Sequence, residues 1–449
     1  MILQTTTIAR NTFIESIRQP IYFIVLLLAG VLQVFTTWST AYSMGYSDSS
    51  EVSKDNKLLL DIGLASIFVA GMLLAAFMAT AVMSREIESK TILTVVSKPI
   101  SRTAVVLGKY VGVAGAILVA VIIMVAYLML GIRHGVMSTA ADELDYPVII
   151  FSTVAVFLAV GVAGWCNFYY GWSFPQAASL LLLPLIVGAY LLTLPLDSHW
   201  KLQPLATDFK PQVLMAALAL LMALLVLSAV ATAASTRLGQ VMTILVCAGV
   251  FMIGLLSNYA IGRHAYQNTS VAMVQTSDPL RLVHEDFDTP GDIYTLLLRT
   301  PPKAEIKVGI PLYYGPNPNG FGLAGWGEQM EGAAQGGAEG GAEGGALGVV
   351  VDGVDDRLLN LKLTGDSSYA SRPPMPGDHL FLTPTRVNRA AAVVYAILPN
   401  FQHYWLVDAV SQNSPIPGSH LVRLAGYGGA QVVMFLALGV VLFQRRDVG

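Results

Sequence analysis

The sequence carries little charge for its length. Only 12% of its 449 residues are Asp, Glu, Lys or Arg, about half of the share found in a soluble domain. This deficit indicates that lipid is the solvent for most of the chain. The formal net charge of −3 lacks the positive excess of a nucleic-acid-binding protein, so no nucleic acid is expected as a partner.

Cysteine is also scarce. The two cysteines, Cys166 and Cys247, both lie inside apolar runs. That setting is typical of small buried side chains rather than of a disulfide or a metal site.

The motifs of common catalytic sites are missing as well. Gly108-Lys109 is followed by Tyr110, and the earlier glycine of a phosphate-binding loop is absent. Neither His-Glu-x-x-His nor Gly-x-Ser-x-Gly occurs. The residues from His284 to Asp288 favour a solvated acidic loop over a metal site. We therefore expect a chain that is not an enzyme and that holds no metal or cofactor.

Long apolar runs, by contrast, are abundant. About 20 apolar residues cross the hydrocarbon core of a bilayer, and eight runs reach roughly that length. They cover residues 20–42, 61–83, 104–132, 147–168, 176–196, 212–234, 240–262 and 421–443. The predicted fold is a mainly α, polytopic transmembrane bundle of about eight spans.

These runs hold almost no ionisable residue away from their ends. Asp61 and Lys109 fall near the predicted water interfaces. A charge at the bilayer centre costs at least about 2.5–3.5 kcal/mol and is kept where it relays protons or binds ions. The bare spans argue against a proton-driven pump, so the energy for any transport is expected from another chain.

Basic residues near the span ends predict the orientation. Arg85 to Arg102 and the terminal Arg445-Arg446 would have to cross the membrane in the inverted arrangement. We therefore place both termini in the cytoplasm and the chain in the inner membrane.

Residues 263–420 are then extracytoplasmic, followed by the last span and a short tail over 421–449. Residues 325–348 are nearly all Gly, Ala, Glu and Gln, a composition that predicts a disordered insert. Short apolar runs broken by Pro and Gly predict a β-rich insertion before the last span. These runs cover residues 271–275, 304–308, 348–351, 358–363 and 379–383.

Two segments are predicted to lie along the membrane surface. Residues 1–19 have Ile14 and Ile17 on one face and charges elsewhere, which is typical of an interfacial amphipathic helix. Residues 84–103 join the second and third spans with charges, a short apolar stretch and then Pro99. Such a stretch could dock on a cytoplasmic partner or could be an ordinary loop whose charges set topology.

The second segment resembles the pattern of the ABC-2 family of ABC transporter permeases. That pattern is Glu-x-Glu-x-Gly-Thr, an apolar stretch, Pro-[Ile/Val]-Ser-Arg and then Gly-Lys, and Lys90 replaces its first glycine here. The matching residues are Glu86, Glu88, Thr91, Pro99, Ile100, Ser101, Arg102, Gly108 and Lys109. Further similar stretches are Phe13, Glu15 and Arg18-Gln-Pro20, Ser235 to Gly239, Leu398 to Phe401, and Phe443 to Asp447.

The resemblance implies a permease subunit of an ABC exporter. It implies two permease subunits, identical or not, paired with two cytoplasmic ATPase subunits that carry the ATP and Mg. It also implies that Glu86, Glu88, Thr91, Pro99, Ser101 and Arg102 belong to an ATPase-coupling element, aided by an interfacial elbow with Phe13, Glu15 and Arg18.

The architecture departs from the family pattern in two places. The family core has six spans, so an additional hairpin lies within 147–234, and the insertion before the last span is unusually large. The transported substrate therefore stays open, and membrane lipid and an envelope protein at the outer domain are further candidate partners. The alternative to the permease is a membrane-anchored interaction or sensor protein. An intramembrane enzyme would need polar groups that the spans do not supply.

Overall fold

A computed structural model describes residues 2–39, 54–88, 101–136, 143–280, 291–320, 323, 349–364, 373–411, 416 and 418–445. The chain divides into two compact units. One, the helical unit, comprises Met1–Leu255 and Pro399–Gly449, and the other, the β unit, comprises Leu256–Leu398.

The helical unit is built from long helices that follow the apolar runs of the sequence. They are α1 (Ile2–Arg18), α2 (Pro20–Ser39), α3 (Lys54–Glu88), α4 (Arg102–His134), α5 (Tyr146–Tyr170), α6 (Phe174–Thr193), α7 (Pro211–Ser235), α8 (Gln240–Ser257), α10 (Val407–Ser411) and α11 (Gly418–Gln444). A 3₁₀ turn, Phe401–Tyr404, precedes α10. Among the described residues, eight helices are long and apolar enough to cross a membrane. The predicted transmembrane helical fold is therefore confirmed.

Local sequence signals determine where several helices begin and end. Asp145 caps α5, because its carboxylate accepts the backbone N–H of Val148, and Pro147 occupies the first turn. Gly171 ends α5 in the left-handed conformation, with φ +67°. Pro184 lies inside α6, where neighbouring helices can cover the freed carbonyl.

Helices α4 and α7 lie at the centre of the helical unit and are the most buried of the candidate spans. The buried positions of α7 are mainly alanine and small polar residues, which let helix backbones approach closely in the absence of a hydrophobic driving force. Tyr22 of α2 is fully buried and donates its hydroxyl to the Ala116 carbonyl of α4 at 2.8 Å. The first span is thus fixed to the central helix.

The segment after the β unit returns to the helical core well before the last span. Phe401 is buried and packs its ring against Phe68 and Phe251, at centroid distances of 6.1 and 5.8 Å. Asn400 is fully buried, and its side chain accepts the N–H of Gln402. The β unit ends at Leu398, whereas the predicted outer domain extends to residue 420. The residues that follow Leu398 bury aromatic side chains in the helical unit.

The β unit begins at the end of α8, where a π-helical turn (Asn258–Gly262) and a short helical turn (Arg263–Ala265) follow. Its strands are β1 (Tyr266–Gln267), β2 (Ala272–Pro279), β3 (Ile293–Leu298), β4 (Tyr313–Gly315), β5 (Val349–Asp355), β6 (Leu358–Leu363), β7 (His379–Phe381) and β8 (Arg386–Val387), and its helix is α9 (Arg389–Ile397). β1 pairs with β8, and the other strands form one antiparallel sheet in the order β4-β7-β2-β3-β6-β5.

Strands β3 and β6 bury one face by strict alternation. Leu296 and Leu298 of β3 and Leu359, Leu361 and Leu363 of β6 are all buried, as the period of two in a half-buried strand requires. The predicted β-rich insertion is confirmed.

One of the predicted strands is wrong. Residues 304–308 form no strand, because Pro301 and Pro302 remove two N–H donors at the point where β3 has ended. The N–H of Lys303 bonds the Val271 carbonyl, and the chain then turns away. The predicted insert over 325–348 lies outside the described residues.

Candidate functional site

The start of α4 is the best defined part of the predicted coupling element. Ser101 is the N-cap of α4, and its hydroxyl accepts the Ala104 N–H at 3.2 Å. A serine in this position satisfies one of the four free N–H groups of a helix start. Ser101 therefore sets the point at which the chain enters the third span.

Arg102 connects this helix start to the end of the last span. Its guanidinium donates to the carbonyls of Phe443 and Gln444, at 3.2 and 2.7 Å, and lies 5.7 Å from the Phe443 ring centroid. These carbonyls belong to the final turn of α11, which has no helical N–H groups to bind them and carries partial negative charge. Arg102 therefore acts as a cationic cap on α11.

Arg237 binds the same helix end from another element. It lies in the turn between α7 and α8 and donates its Nε–H to the Leu442 carbonyl at 2.8 Å. We call Arg102, Arg237 and the carbonyls of residues 442–444 the α11 clamp. The clamp joins the start of α4 and the turn between α7 and α8 to the end of α11, although the three segments are far apart in sequence.

Lys109 ties α4 to α3. Its side chain is buried, and its ammonium group donates to the Val82 carbonyl at 2.6 Å. Val82 lies in the penultimate turns of α3, which ends at Glu88. The two helices that flank residues 89–100 are thus bonded to each other about two turns inside the bundle.

The predicted coupling residues are only partly within the described chain. Glu86 and Glu88 occupy the last turns of α3, with side chains outside the described residues. Thr91 and Pro99 also lie outside them. Ser101 and Arg102 lie at the same end of the bundle as the end of α3, because the bond between Lys109 and Val82 holds the start of α4 beside the last turns of α3.

The predicted elbow is the helix α1, which packs lengthwise against the first half of α4. A Cβ added to Gly108 would lie 2.7 Å from the Ile8 Cβ, and one added to Gly112 would lie 2.6 Å from the Ala9 carbonyl oxygen. Glycines four residues apart on α4 thus provide the groove that α1 occupies.

The three predicted elbow residues are placed differently. Phe13 is half-buried and packs beside Gly115, whereas Glu15 and Arg18 are exposed. The buried face of α1 consists of Ala9, Thr12, Ser16 and Ile17, so it is smaller and more polar than the isoleucine stripe expected from the sequence.

A buried charge cluster lies at the opposite end of α4. The guanidinium of Arg133, only 5% exposed, pairs with Asp145 at 2.9 Å and with Asp208, and donates to the Leu196 carbonyl at 2.5 Å. Gln203 also bonds Asp208. In the sequence, Arg133 follows an apolar run, and its partners Asp145 and Asp208 each stand just before another.

The described part of the chain shows no group of three or more His, Cys, Asp or Glu side chains that could hold a metal ion. Cys166 and Cys247 are free thiols. The acidic cluster from His284 to Asp288 lies outside the described residues. The interactions described around Ser101 and Arg102 are hydrogen bonds from cationic side chains to helix carbonyls.

Comparison with known protein families gives a match for the first part of the chain. Residues 6–165 match the family model described as ABC-2 family transporter protein. The match runs from α1 into α5 and includes Ser101, Arg102 and Lys109, so the resemblance inferred from the second segment is confirmed. No curated protein and no solved structure matches the chain.

Proposed function

We propose that this ABC-2 type membrane protein is the permease subunit of an ABC exporter, driven by a separate cytoplasmic ATPase. The ATPase engages the end of the bundle where α3 closes, α4 begins and the α11 clamp lies. A second permease subunit completes the pathway, and substrate is exported from the cytoplasm. ATP and Mg are held by the ATPase.

The observation that supports this proposal best is the set of bonds around the predicted coupling element. Arg102 bonds α11, Lys109 bonds α3, and α1 is packed against α4 through Gly108 and Gly112. A force applied between α3 and α4 would therefore act on four helices together, since packed elements move as rigid bodies. A membrane subunit driven by a separate ATPase needs such joint movement of its helices.

The bonds also explain how motion could pass across the bundle without any charge in the middle of the membrane. Arg102 and Arg237 bind backbone carbonyls at the end of α11, where the helix dipole is negative, and Lys109 binds a carbonyl about two turns before the end of α3. Breaking such a bond costs about 1.5–3 kcal/mol, which is small against the free energy that a nucleotide-driven partner supplies. The α11 clamp can thus stabilise one arrangement of the spans and break when the ATPase acts on the bundle.

The test is a site-specific cross-link made in the membranes of the host. A photoreactive amino acid replaces Thr91 in the predicted contact segment, and its matched control replaces Leu205, which is exposed and lies at the opposite end of the bundle. We expect the Thr91 probe to capture a soluble ATPase with a phosphate-binding loop, identified by mass spectrometry, and the Leu205 probe to capture none. Equal capture at both positions, or capture of lipid alone at Thr91, contradicts the proposal.

A further inference from the structure

A cavity of about 500 Å³ lies among the end of α1, the end of α5 and the start of α6. The proposed coupling mechanism makes no use of it. Residues that matter for its chemistry are Arg18, Val162, Trp172, Ser173, Gln176 and Leu180. Its lining combines one guanidinium, uncharged hydrogen-bonding side chains and an apolar wall, and it includes no Asp or Glu.

Two polar groups of this cavity have no partner among the residues that the structure describes. Arg18 is exposed and forms no ion pair with any residue that the structure describes. Ser173 is the N-cap of α6, yet its hydroxyl makes no capping bond, and its Oγ is buried without a hydrogen-bond partner in the described chain. A buried hydroxyl without a partner costs about 1–3 kcal/mol, so a ligand that bonds it would be stabilised.

The start of α6 adds a third favourable feature. Pro175 has no N–H and the Ala177 N–H bonds the Ser173 carbonyl, so the free N–H groups of the first turn are those of Phe174 and Gln176. The helix dipole places partial positive charge at this helix start. The guanidinium of Arg18 lines the same cavity. Positive charge from two helices therefore converges on a space whose lining has no carboxylate to neutralise it.

The connection between α5 and α6 holds this arrangement in place. Asn167 donates its side-chain amide to the Trp172 carbonyl at 2.6 Å, and the Trp172 N–H bonds the Cys166 carbonyl. Gly171 supplies the left-handed turn at φ +67°. The two hydrogen bonds of Trp172 thus fix the position of Ser173 at the cavity whether or not a ligand is bound.

The surroundings favour an amphipathic ligand over a soluble one. Trp165, Tyr169, Tyr170 and Trp172 are all well exposed at this end of α5, where aromatic side chains mark the headgroup level of a bilayer. Val162 and Leu180 continue the lining along the spans. A molecule with an anionic head and an apolar tail matches both parts of the surface.

We propose that this cavity binds the phosphate of an anionic phospholipid. The phosphate oxygens accept hydrogen bonds from Arg18, Ser173 and the start of α6, with Gln176 as a further donor. An acyl chain lies along Val162 and Leu180. The lipid thereby ties the end of α1 to the α5–α6 hairpin.

The test measures lipid binding to the full-length protein by native mass spectrometry, with phosphatidylglycerol and phosphatidylcholine added in parallel. We expect the wild type to prefer phosphatidylglycerol and Arg18→Gln to weaken that binding about tenfold, the value of a hydrogen bond to a charged group. Arg10→Gln is the matched control, because Arg10 is exposed on the same helix and does not line the cavity. It should leave binding unchanged.

A second variant keeps the test decisive if Arg18→Gln fails to fold. Ser173→Asp should cap α6 better than serine does in this structure and so preserve the fold, while its carboxylate repels phosphate and lowers phosphatidylglycerol binding. Equal losses in Arg10→Gln and Arg18→Gln, or no preference for the anionic lipid, overturn the proposal. Displacement of phosphatidylglycerol by millimolar inorganic phosphate would assign the site to a soluble phosphate and overturn it too.

Discussion

Among single residues, Arg133 shows most clearly what the sequence conceals. A lone arginine after an apolar run predicts an exposed loop charge. The structure instead buries its guanidinium between Asp145 and Asp208. The partners lie 12 and 75 residues away, and only the fold brings them together. Burial of a charge is tolerated when the geometry satisfies it, and loss of one partner then leaves the others uncompensated.

Replacement of Arg133 by glutamine should therefore destabilise the helical unit strongly. Two aspartates would remain near each other without a cation, at an expected cost of about 3–5 kcal/mol. The measurement is the apparent melting temperature of the full-length protein in lipid nanodiscs. Lys201→Gln removes an exposed cation from the neighbouring loop and should change it little. Similar melting temperatures for the two variants would show that Arg133 is not a structural charge.

The β unit has a residue that should make it sensitive to acid. Burial lowers the pKa of His379, nearby Lys303 lowers it further, and Asp378 opposes both. Below pH about 6.5, the ordinary value for histidine, the unfolded chain binds a proton that the folded chain resists. Stability should therefore fall as the pH drops from that value toward the lower folded pKa.

This prediction is checked by hydrogen exchange of the full-length protein at pH 7.5 and 5.5, corrected for intrinsic rates. Protection of β2 and β7 should fall at the lower pH in the wild type and fall less in His379→Gln. His264→Gln, a change in the same unit but outside the sheet, serves as the control. An unchanged pH effect in His379→Gln would assign the acid sensitivity to other groups.

Among the elements, the packing of α1 on α4 was only half predictable. The spacing of apolar and charged residues indicates an amphipathic helix, and α1 has the expected position in the chain. The sequence does not show what covers its polar buried face. That face meets α4 because Gly108 and Gly112 have no side chains to hold it away, and this pairing depends on tertiary geometry.

Gly112→Ala should loosen this packing. Its Cβ would lie 2.6 Å from a backbone oxygen, which cannot rotate away, so we expect a cost of about 1–3 kcal/mol. Gly161→Ala is the matched control, since nothing lies within 4 Å of its added Cβ and alanine favours the helix. Hydrogen exchange of α1 should increase only in Gly112→Ala. Equal exchange in both variants would show that α1 is not held by this contact.

Loss of one cation of the α11 clamp should destabilise the end of the last span. Arg237→Gln removes a cation from the Leu442 carbonyl and should weaken the final turn of α11 by about 0.5–2 kcal/mol, as for other helix caps and dipole contacts. Faster amide exchange at residues 441–444 is the expected result. Arg423→Gln changes an exposed arginine at the other end of α11, so its effect on those amides should be nil. Equal exchange in the two variants would contradict the clamp.

For the whole molecule, the sequence was informative where one physical rule dominates. Apolar length alone predicts the spans, because lipid forces every backbone group into a helix. The β unit depends on long-range strand pairing, such as β2 with β7 across about 100 residues, which local patterns do not encode. The α11 clamp joins Arg102 to residues more than 340 positions away. The family pattern includes Arg102 but does not indicate the carbonyls that Arg102 binds.

We propose that a separate ATPase drives this chain from the end of the bundle that holds the α11 clamp. The most direct measurement is purification of the tagged protein from its own host in mild detergent, with the associated polypeptides identified and quantified. Glu86→Ala with Glu88→Ala tests the predicted contact, and Glu305→Ala, an exposed acidic residue of the β unit, is the control. We expect a stoichiometric ATPase to co-purify with the wild type and with the control, and to be lost from the double variant. An intact, folded protein that never brings down an ATPase would contradict the permease and favour a membrane-anchored interaction protein.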